Sequence, residues 1–264
     1  MHDRAARRAL SSIVVLLTAL LASSAAADVT LVSKSSGTGL GMTTEGEVVT
    51  RVQALKMRSD VTIRGETMSA IIDLEGAQFI SLRHRDRAAD VYDMHAAAEG
   101  LGPTRTADLS VSLRPTGRTR SIAGQNCLEH VLHVRVPISA DAAGTASVVM
   151  HGTVWIAPQS PGRDEWGRFY RTAADRGLFF ADPRAVKADP ERAGGLTALY
   201  RHVADLGVLY AADIEIGAEG ATPTTERMTR MGAASTTSEV LRVATTPVDD
   251  ELFTIPHGYA VTKK

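Results

Sequence analysis

The chain has 264 residues, 29 Lys and Arg against 30 Asp and Glu, a net charge of −1, and only 5% aromatic residues. A balance this close to neutral gives no electrostatic footprint for nucleic acid or an anionic membrane surface. The single cysteine, Cys127, excludes an internal disulfide framework, so the core has to rest on packed Val, Leu, Ile, Ala and Met.

The N-terminus carries Arg4, Arg7 and Arg8, then an apolar stretch over 13–22, then Ser-Ser-Ala-Ala-Ala. Ala25 and Ala27 form a small-x-small pair, which predicts a signal peptide over 1–27 cleaved after Ala27, leaving Asp28 first. About ten apolar residues fall well short of the ~20 that cross a bilayer as a helix. No cysteine lies near the cut, which disfavours a lipid anchor. The mature chain is expected to be exported and soluble, without a transmembrane segment. Removing the leader takes away three arginines and one aspartate, which leaves 26 basic against 29 acidic side chains in 237 residues.

From Val29 to Tyr92 the pattern repeats every second residue. Leu55, Met57, Val61 and Ile63 alternate with Lys56, Arg58, Asp60 and Arg64, one face apolar and one in water, as in an antiparallel sheet. Strands are predicted at 29–34, 46–54, 55–64, 67–73 and 78–84. Turns at Ile63-Arg-Gly-Glu66 and Asp73-Leu-Glu-Gly76 make them an up-and-down meander. Residues 93–101 read as a short helix. Strands resume at 108–115, 119–137 (with a turn or bulge around Gly124) and 146–157, where Val148, Met150, Val154 and Ile156 share a face.

The period then changes. Ser160-Pro-Gly-Arg-Asp164 supplies a turn and an N-cap, and Trp166, Phe169, Tyr170 and Ala173 follow at helical spacing. A polar connection over 181–193 carries Asp182-Pro183 and Asp189-Pro190. A second helix is predicted at 195–206 with a stripe of Leu196, Leu199, Tyr200, Val203 and Leu206, capped by Gly207. Strands are expected again at 208–216, 225–230, 237–244 and 252–262. Two amphipathic helices inserted late in a meander have to bury their stripes against one sheet face. The fold class is therefore α+β, a curved antiparallel half-open β-barrel with helices covering its concave face. Residues 28–264 are expected to form one such domain, with the helical insertion at about 161–207.

No motif asks for catalysis: a Gly-x-Ser-x-Gly elbow, His-Glu-x-x-His, a P-loop lysine and paired Cys-x-x-Cys are all missing from the sequence. Gly37-Thr-Gly-Leu-Gly41 follows a strand but is followed by strand alternation from Glu47, so a hairpin loop accounts for it. His130 and His133 have helical metal spacing but lie on a strand, where positions three apart face opposite ways. His130 is read as a hydrogen-bonded core residue and His133 as exposed. His84, Asp86, Asp93 and His95 read as solvated loop residues, the 83–87 run as a basic turn, and Cys127 as a small buried side chain in a strand. No metal and no cofactor are expected.

Arg114-Pro-Thr-Gly-Arg-Thr-Arg-Ser-Ile-Ala-Gly-Gln-Asn-Cys127-Leu-Glu-His-Val resembles the central motif of the exported DUF4412 group, departing at Gln125, where that group more often has an aromatic residue. Met68-Ser-Ala-Ile-Ile-Asp73, Val154-Trp155-Ile156 and Leu252-Phe-Thr-Ile-Pro-His-Gly-Tyr259 match it in order, so the resemblance spans about 29–259. The closing run also resembles that of the periplasmic half-barrels related to the lipoprotein carrier LolA. The resemblance implies a LolA-like half-barrel in the periplasm, with release outside the cell as the alternative, and a non-catalytic carrier of a lipid-like or acylated ligand. The arginine that LolA uses aligns with no residue here, so lipoprotein transfer itself does not carry over.

On that reading Trp166, Phe169 and Tyr170 form a lid over an apolar cavity lined by Met57, Val61, Ile63, Met68, Ile72, Met150 and Val154, with Met suited to an irregular apolar ligand. The competing account has the same aromatics seal a self-filled core, in an envelope module that binds a partner protein.

Overall fold

A computed structural model of the chain describes residues 28–39, 42–95, 110–141, 144–178, 200–220, 226 and 234–264. Among these residues twelve strands form one sheet. β1 (Val29–Gly39), β2 (Met42–Gln53), β3 (Lys56–Ile63), β4 (Glu66–Asp73), β5 (Gln78–Arg83) and β6 (Ala88–Asp93) make the first meander. β7 (Ser110–Ile122), β8 (Gln125–Asp141), β9 (Gly144–Ala157), β10 (Val208–Glu219) and β11 (Ala234–Ala244) make the second, and β12 is Ala260–Lys263. The spatial order is β12-β6-β5-β4-β3-β2-β1-β11-β10-β9-β8-β7, so the meanders join where β1 pairs with β11 and the sheet stays open. Every pairing is antiparallel except that of β12 with β6, which is parallel.

Local sequence sets these pairings. Ala123 and Gly124 both have positive φ (47° and 76°) between the paired residues Ile122 and Gln125, a two-residue turn whose twist matches the strands it joins. What reads as one interrupted strand over 119–137 is thus split by a hairpin: 119–122 belong to β7, which passes a register shift between Pro115 and Thr119, and β8 begins at Gln125. At the β4–β5 turn, Asp73 Oδ1 accepts from the N–H groups of Glu75 (2.9 Å) and Gly76 (3.0 Å), an Asx turn.

Between β9 and β10 lies α1 (Arg163–Asp175), and a second helical segment is described over 200–206. Ser160 does not cap α1. Its hydroxyl pairs with Tyr210 Oη at 2.9 Å, and the N-cap is Gly162, at φ 74° with no side-chain cap. Asp164 and Glu165 in the first turn supply the negative charge that the N-terminal dipole favours. Gly207 closes the second segment, its N–H donating to Val203 O at 3.3 Å.

The main core sits at the α1 end of the strands. Val29, Val52, Met57, Ile72 and Leu74 from the first meander meet Trp166, Phe169 and Ala173 of α1, Tyr200, and Cys127, Val208 and Tyr210 from the second. Arg176 Nη1 donates to Leu74 O at 2.7 Å and latches the C-terminal end of α1 onto the β4–β5 turn.

Four expectations need correction or placing. The strand expected at 252–262 is a 3-10 turn over Asp250–Phe253, an extended stretch, and only then β12, because Pro256 and Gly258 interrupt pairing. Of the helix expected at 93–101, Asp93 instead ends β6, Met94 and His95 are helical, and 96–101 lie outside the described residues. The strand near 225–230 lies outside them too, apart from Glu226, as do residues 1–27.

Candidate functional site

Strand register assembles the apolar wall row by row. Val52, Met57, Ile72 and Phe79 are successive partners on β2 to β5 and lie beneath α1. The next row on that face, Thr50, Ser59, Ala70 and Ser81, is small and mostly polar. Beyond it Val48, Val61 and Met68 are partners on β2, β3 and β4. No described helix packs on this third row: Val61 is half-buried and Met68 is 56% exposed. Val48, Val61 and Ile63 line an open slot of about 190 Å³ with Ser35, Thr44 and Thr236.

Of the predicted site residues, Met57, Val61, Ile63, Met68 and Ile72 thus share one face. Met57 and Ile72 lie with Trp166 and Phe169 in one packed cluster, against which Tyr170 also rests. Val154 belongs to a separate cluster with Ile156 and Ala212, and Met150 pairs with Val134 and Ile216 on the second meander. The aromatic group is closely stacked: Trp166–Tyr170, Phe169–Tyr170 and Tyr170–Tyr200 have ring centroids 5.2, 5.9 and 5.3 Å apart, within the range of edge-to-face and offset pairs. Burial pushes the Tyr170 hydroxyl well above its ordinary pKa.

A second concavity follows from curvature. β7 and β11 are four strand steps apart, roughly 19 Å in a flat sheet at about 4.8 Å per step. Yet Arg120 Nη2 on β7 lies 3.2 Å from Glu239 Oε2 on β11, so β7 to β11 curl round on that face. Inside the curl is a cavity of about 850 Å³, walled by Arg120, Trp155, Asp213, Glu239, Lys34 and Glu45 among others. Arg120 stacks over the Trp155 ring at 4.8 Å, a cation–π contact. Lys34 Nζ lies 3.9 Å from Glu239 Oε1. Its volume suits a small molecule, but its walls are charged. Next to it Glu129, nearly fully buried, accepts from Thr116 Oγ1 (2.7 Å) and Arg118 Nε (2.5 Å). Burial raises the Glu129 carboxyl, but these bonds and the Arg118 charge outweigh it and hold it below the usual range.

The opposite face of β3 to β6 is covered by the chain's own C-terminus. Ile71, Ile80, Leu82, Ala89 and Val91 pack under Phe253, with Val248, Leu252, Ile255 and Tyr259 around it. Beneath this strap runs a polar chain. Asp60 accepts from Arg51 Nη1 (2.5 Å), Arg58 Nε (2.7 Å) and Ser69 Oγ (2.5 Å). Arg58 Nη1 donates to Leu252 O at 2.6 Å. Ser69 Oγ lies 2.6 Å from His84 Nε2, and His84 Nδ1 lies 2.6 Å from Tyr259 Oη. A carboxylate only accepts, so the Ser69 hydroxyl proton goes to Asp60 and Ser69 accepts from His84 Nε2–H. The other ring nitrogen, Nδ1, meets the Tyr259 hydroxyl, so the chain of hydrogen bonds runs from Asp60 to the strap and holds it down. His84, read from sequence as a solvated loop residue, is thus part of a structural lock.

His130 is buried, with Nδ1 3.3 Å from Leu128 O, and His133 is exposed on the other face. Cys127 is a free, fully buried thiol, raised in pKa by that burial. Among the described residues no three His, Cys, Asp or Glu side chains are placed to share an ion. No described helix is long and apolar enough to cross a membrane.

No protein-family profile and no curated protein matches the chain. Solved structures are similar to it at a distance. They include PNGF-II (11% identity, TM-score 0.34, 89% of this chain but 31% of that one). Another is a domain described as an outer membrane lipoprotein-sorting protein from Vibrio parahaemolyticus (8% identity, TM-score 0.35, 87% and 90% covered). A third is a LolA superfamily protein from Nitrosomonas europaea (7% identity, TM-score 0.29, 86% and 90% covered). This chain thus spans about a third of the PNGF-II structure. Likenesses of this strength decide neither fold nor function. The open, curled sheet with helices on one side rests on the chain's own pairing.

Proposed function

We propose that this chain is an exported, non-catalytic binding protein of the cell envelope that holds a lipid-like or acylated ligand against its sheet, after removal of residues 1–27. The observation that carries this reading is the third row on that face: beyond the small, mostly polar row, Val48, Val61 and Met68 lie past the reach of α1 and stay open. The slot beside that row, about 190 Å³, is smaller than the ~300 Å³ at which pockets for whole small molecules begin. It accepts one apolar segment of a ligand whose remainder lies outside. Trp166, Phe169 and Tyr170 stay with the packed row of Met57 and Ile72 and are not among the residues that line the slot.

The test is uptake of a fluorescent fatty acid by the purified mature chain, together with mass spectrometry of lipid extracted from protein taken from its native compartment. Val61→Glu and Met68→Glu add charge to the open row without touching the packed one, and are expected to abolish uptake with little change in Tm. An empty protein that takes up no probe removes this reading.

The stacking of Trp166, Phe169, Tyr170 and Tyr200 favours a second reading, in which the core is filled by its own side chains and the sheet serves an envelope protein partner. Retention of a single stoichiometric protein during mild purification, with no lipid, supports that alternative.

A further inference from the structure

Glu165 stands out among the buried groups. It is 2% exposed, and both carboxylate oxygens are sequestered without an aligned hydrogen bond. Its nearest counter-charge is Arg168, whose Nη2 lies 2.8 Å from Oε2 on a side chain 46% exposed. Burial raises the Glu165 carboxyl, the Arg168 charge and the Ala54 backbone N–H pull it down, and the carboxylate of Asp28 pushes it up again.

The beginning of the mature chain converges on this spot. Val29 pairs with Val52, which sets Asp28 beside Gln53 and the turn at 54–55. Asp28 Oδ2 accepts from Gln53 Nε2 (3.3 Å) and Val248 N–H (2.7 Å). Val29 is packed so tightly on the start of α1 that a Cβ at Gly162 would come within 2.6 Å of it. Asp28, half-buried, and Glu165, buried, therefore lie at one corner of the packed end with one partly exposed guanidinium. A buried charge with an incomplete partner set is strongly destabilising.

We infer that the α-ammonium group created at Asp28 by cleavage after Ala27 is the second counter-charge of Glu165, so that removal of the leader itself tightens the seat of α1. Before cleavage that nitrogen is a neutral amide within the chain and supplies no charge. After cleavage it is an ammonium held at the start of β1. The inference rests on the export and cut site proposed above.

The experiment uses three forms of the mature chain: one beginning at Asp28 with a free amine, released from a cleavable fusion, the same chain N-acetylated, and a chain extended by Ala26-Ala27. Each is made with Glu165 and with Glu165→Gln, which keeps the shape and removes the charge. Acetylation or extension is expected to lower Tm by about 2–5 °C with Glu165 and by less than about 1 °C in the Glu165→Gln background, given the size of the chain. Equal losses in both backgrounds, or no loss with Glu165, overturn the pairing. Protein recovered after export with an N-terminus other than Asp28 overturns the processing premise instead, a failure separable from zero coupling in the defined chains.

Discussion

Replacing Asp60 by Asn tests whether the polar chain under the C-terminal strap holds that strap in place. The carboxylate accepts three short hydrogen bonds, from Arg51, Arg58 and Ser69, and Arg58 itself is 8% exposed. Asparagine keeps one acceptor but turns an N–H₂ toward one of the two guanidinium groups. Breaking a buried pair by removing one partner costs about 3–5 kcal/mol. Asp60 and Arg51 keep 17% and 23% of their side chains in water, so screening reduces this to about 2–4 kcal/mol. For a chain of this size that is about 5–12 °C in Tm, measured by circular dichroism at pH 7. The pH dependence has a definite sign. Burial pushes the Asp60 carboxyl up, but the bonds from Ser69, Arg58 and Arg51 outweigh it, and its folded pKa lies below the ordinary value. Its stabilisation is therefore complete above the unfolded pKa of about 3.9 and is lost as the pH falls through the folded one. The gap between wild type and Asp60→Asn should be wide at pH 5–7 and close below about pH 4. A Tm within about 2 °C of wild type at pH 7 refutes the argument.

Further substitutions probe the packed end of the molecule. Phe169→Ala empties a fully buried position and is expected to lower unfolding free energy by about 3–5 kcal/mol in urea titration. Gly162→Ala combines a left-handed backbone with a contact on Val29, so a loss of about 2–4 kcal/mol is expected, and a neutral result would mean that α1 is seated differently. Cys127, buried and raised in pKa, should resist Ellman's reagent at pH 8 in the folded protein and react fully in denaturant. Rapid labelling of the native protein contradicts that placement.

The first meander was legible because Met57, Val61 and Ile63 alternate with charge, and because Arg64-Gly65 forms a two-residue turn between partners Ile63 and Glu66. α1 was legible from the spacing of Trp166, Phe169 and Tyr170. The face opposite was not: Arg58 and Asp60 look like a solvated edge until the strap is placed over them, nearly two hundred residues later in the chain. A signal existed in Ile71-Ile72 and Leu82, which put apolar side chains on both faces of β4 and β5 and so require cover on both. The curl that brings Arg120 to Glu239 was hidden for another reason. Register fixes neighbours in a sheet, whereas curvature accumulates from twist and bulges such as that at Leu209/Ala211. The grouping of Met150 and Val154 with the first meander failed to appear for the same reason.

An open sheet this wide has two rims, and each carries its own defence against joining a neighbour. At one rim β7 has Pro115 and a register shift among its arginines; at the other the strap ends as β12, four residues laid parallel on β6 and followed by Lys264. Both devices blunt strand-to-strand association. The tail that looked from sequence like a closing signature is thus also a fender. A chain nicked between residues 245 and 259 would bare the rim of β6 and the oily flank of Ile71, Ile80 and Leu82 together, and polymerisation, rather than simple unfolding, is the fate the architecture guards against.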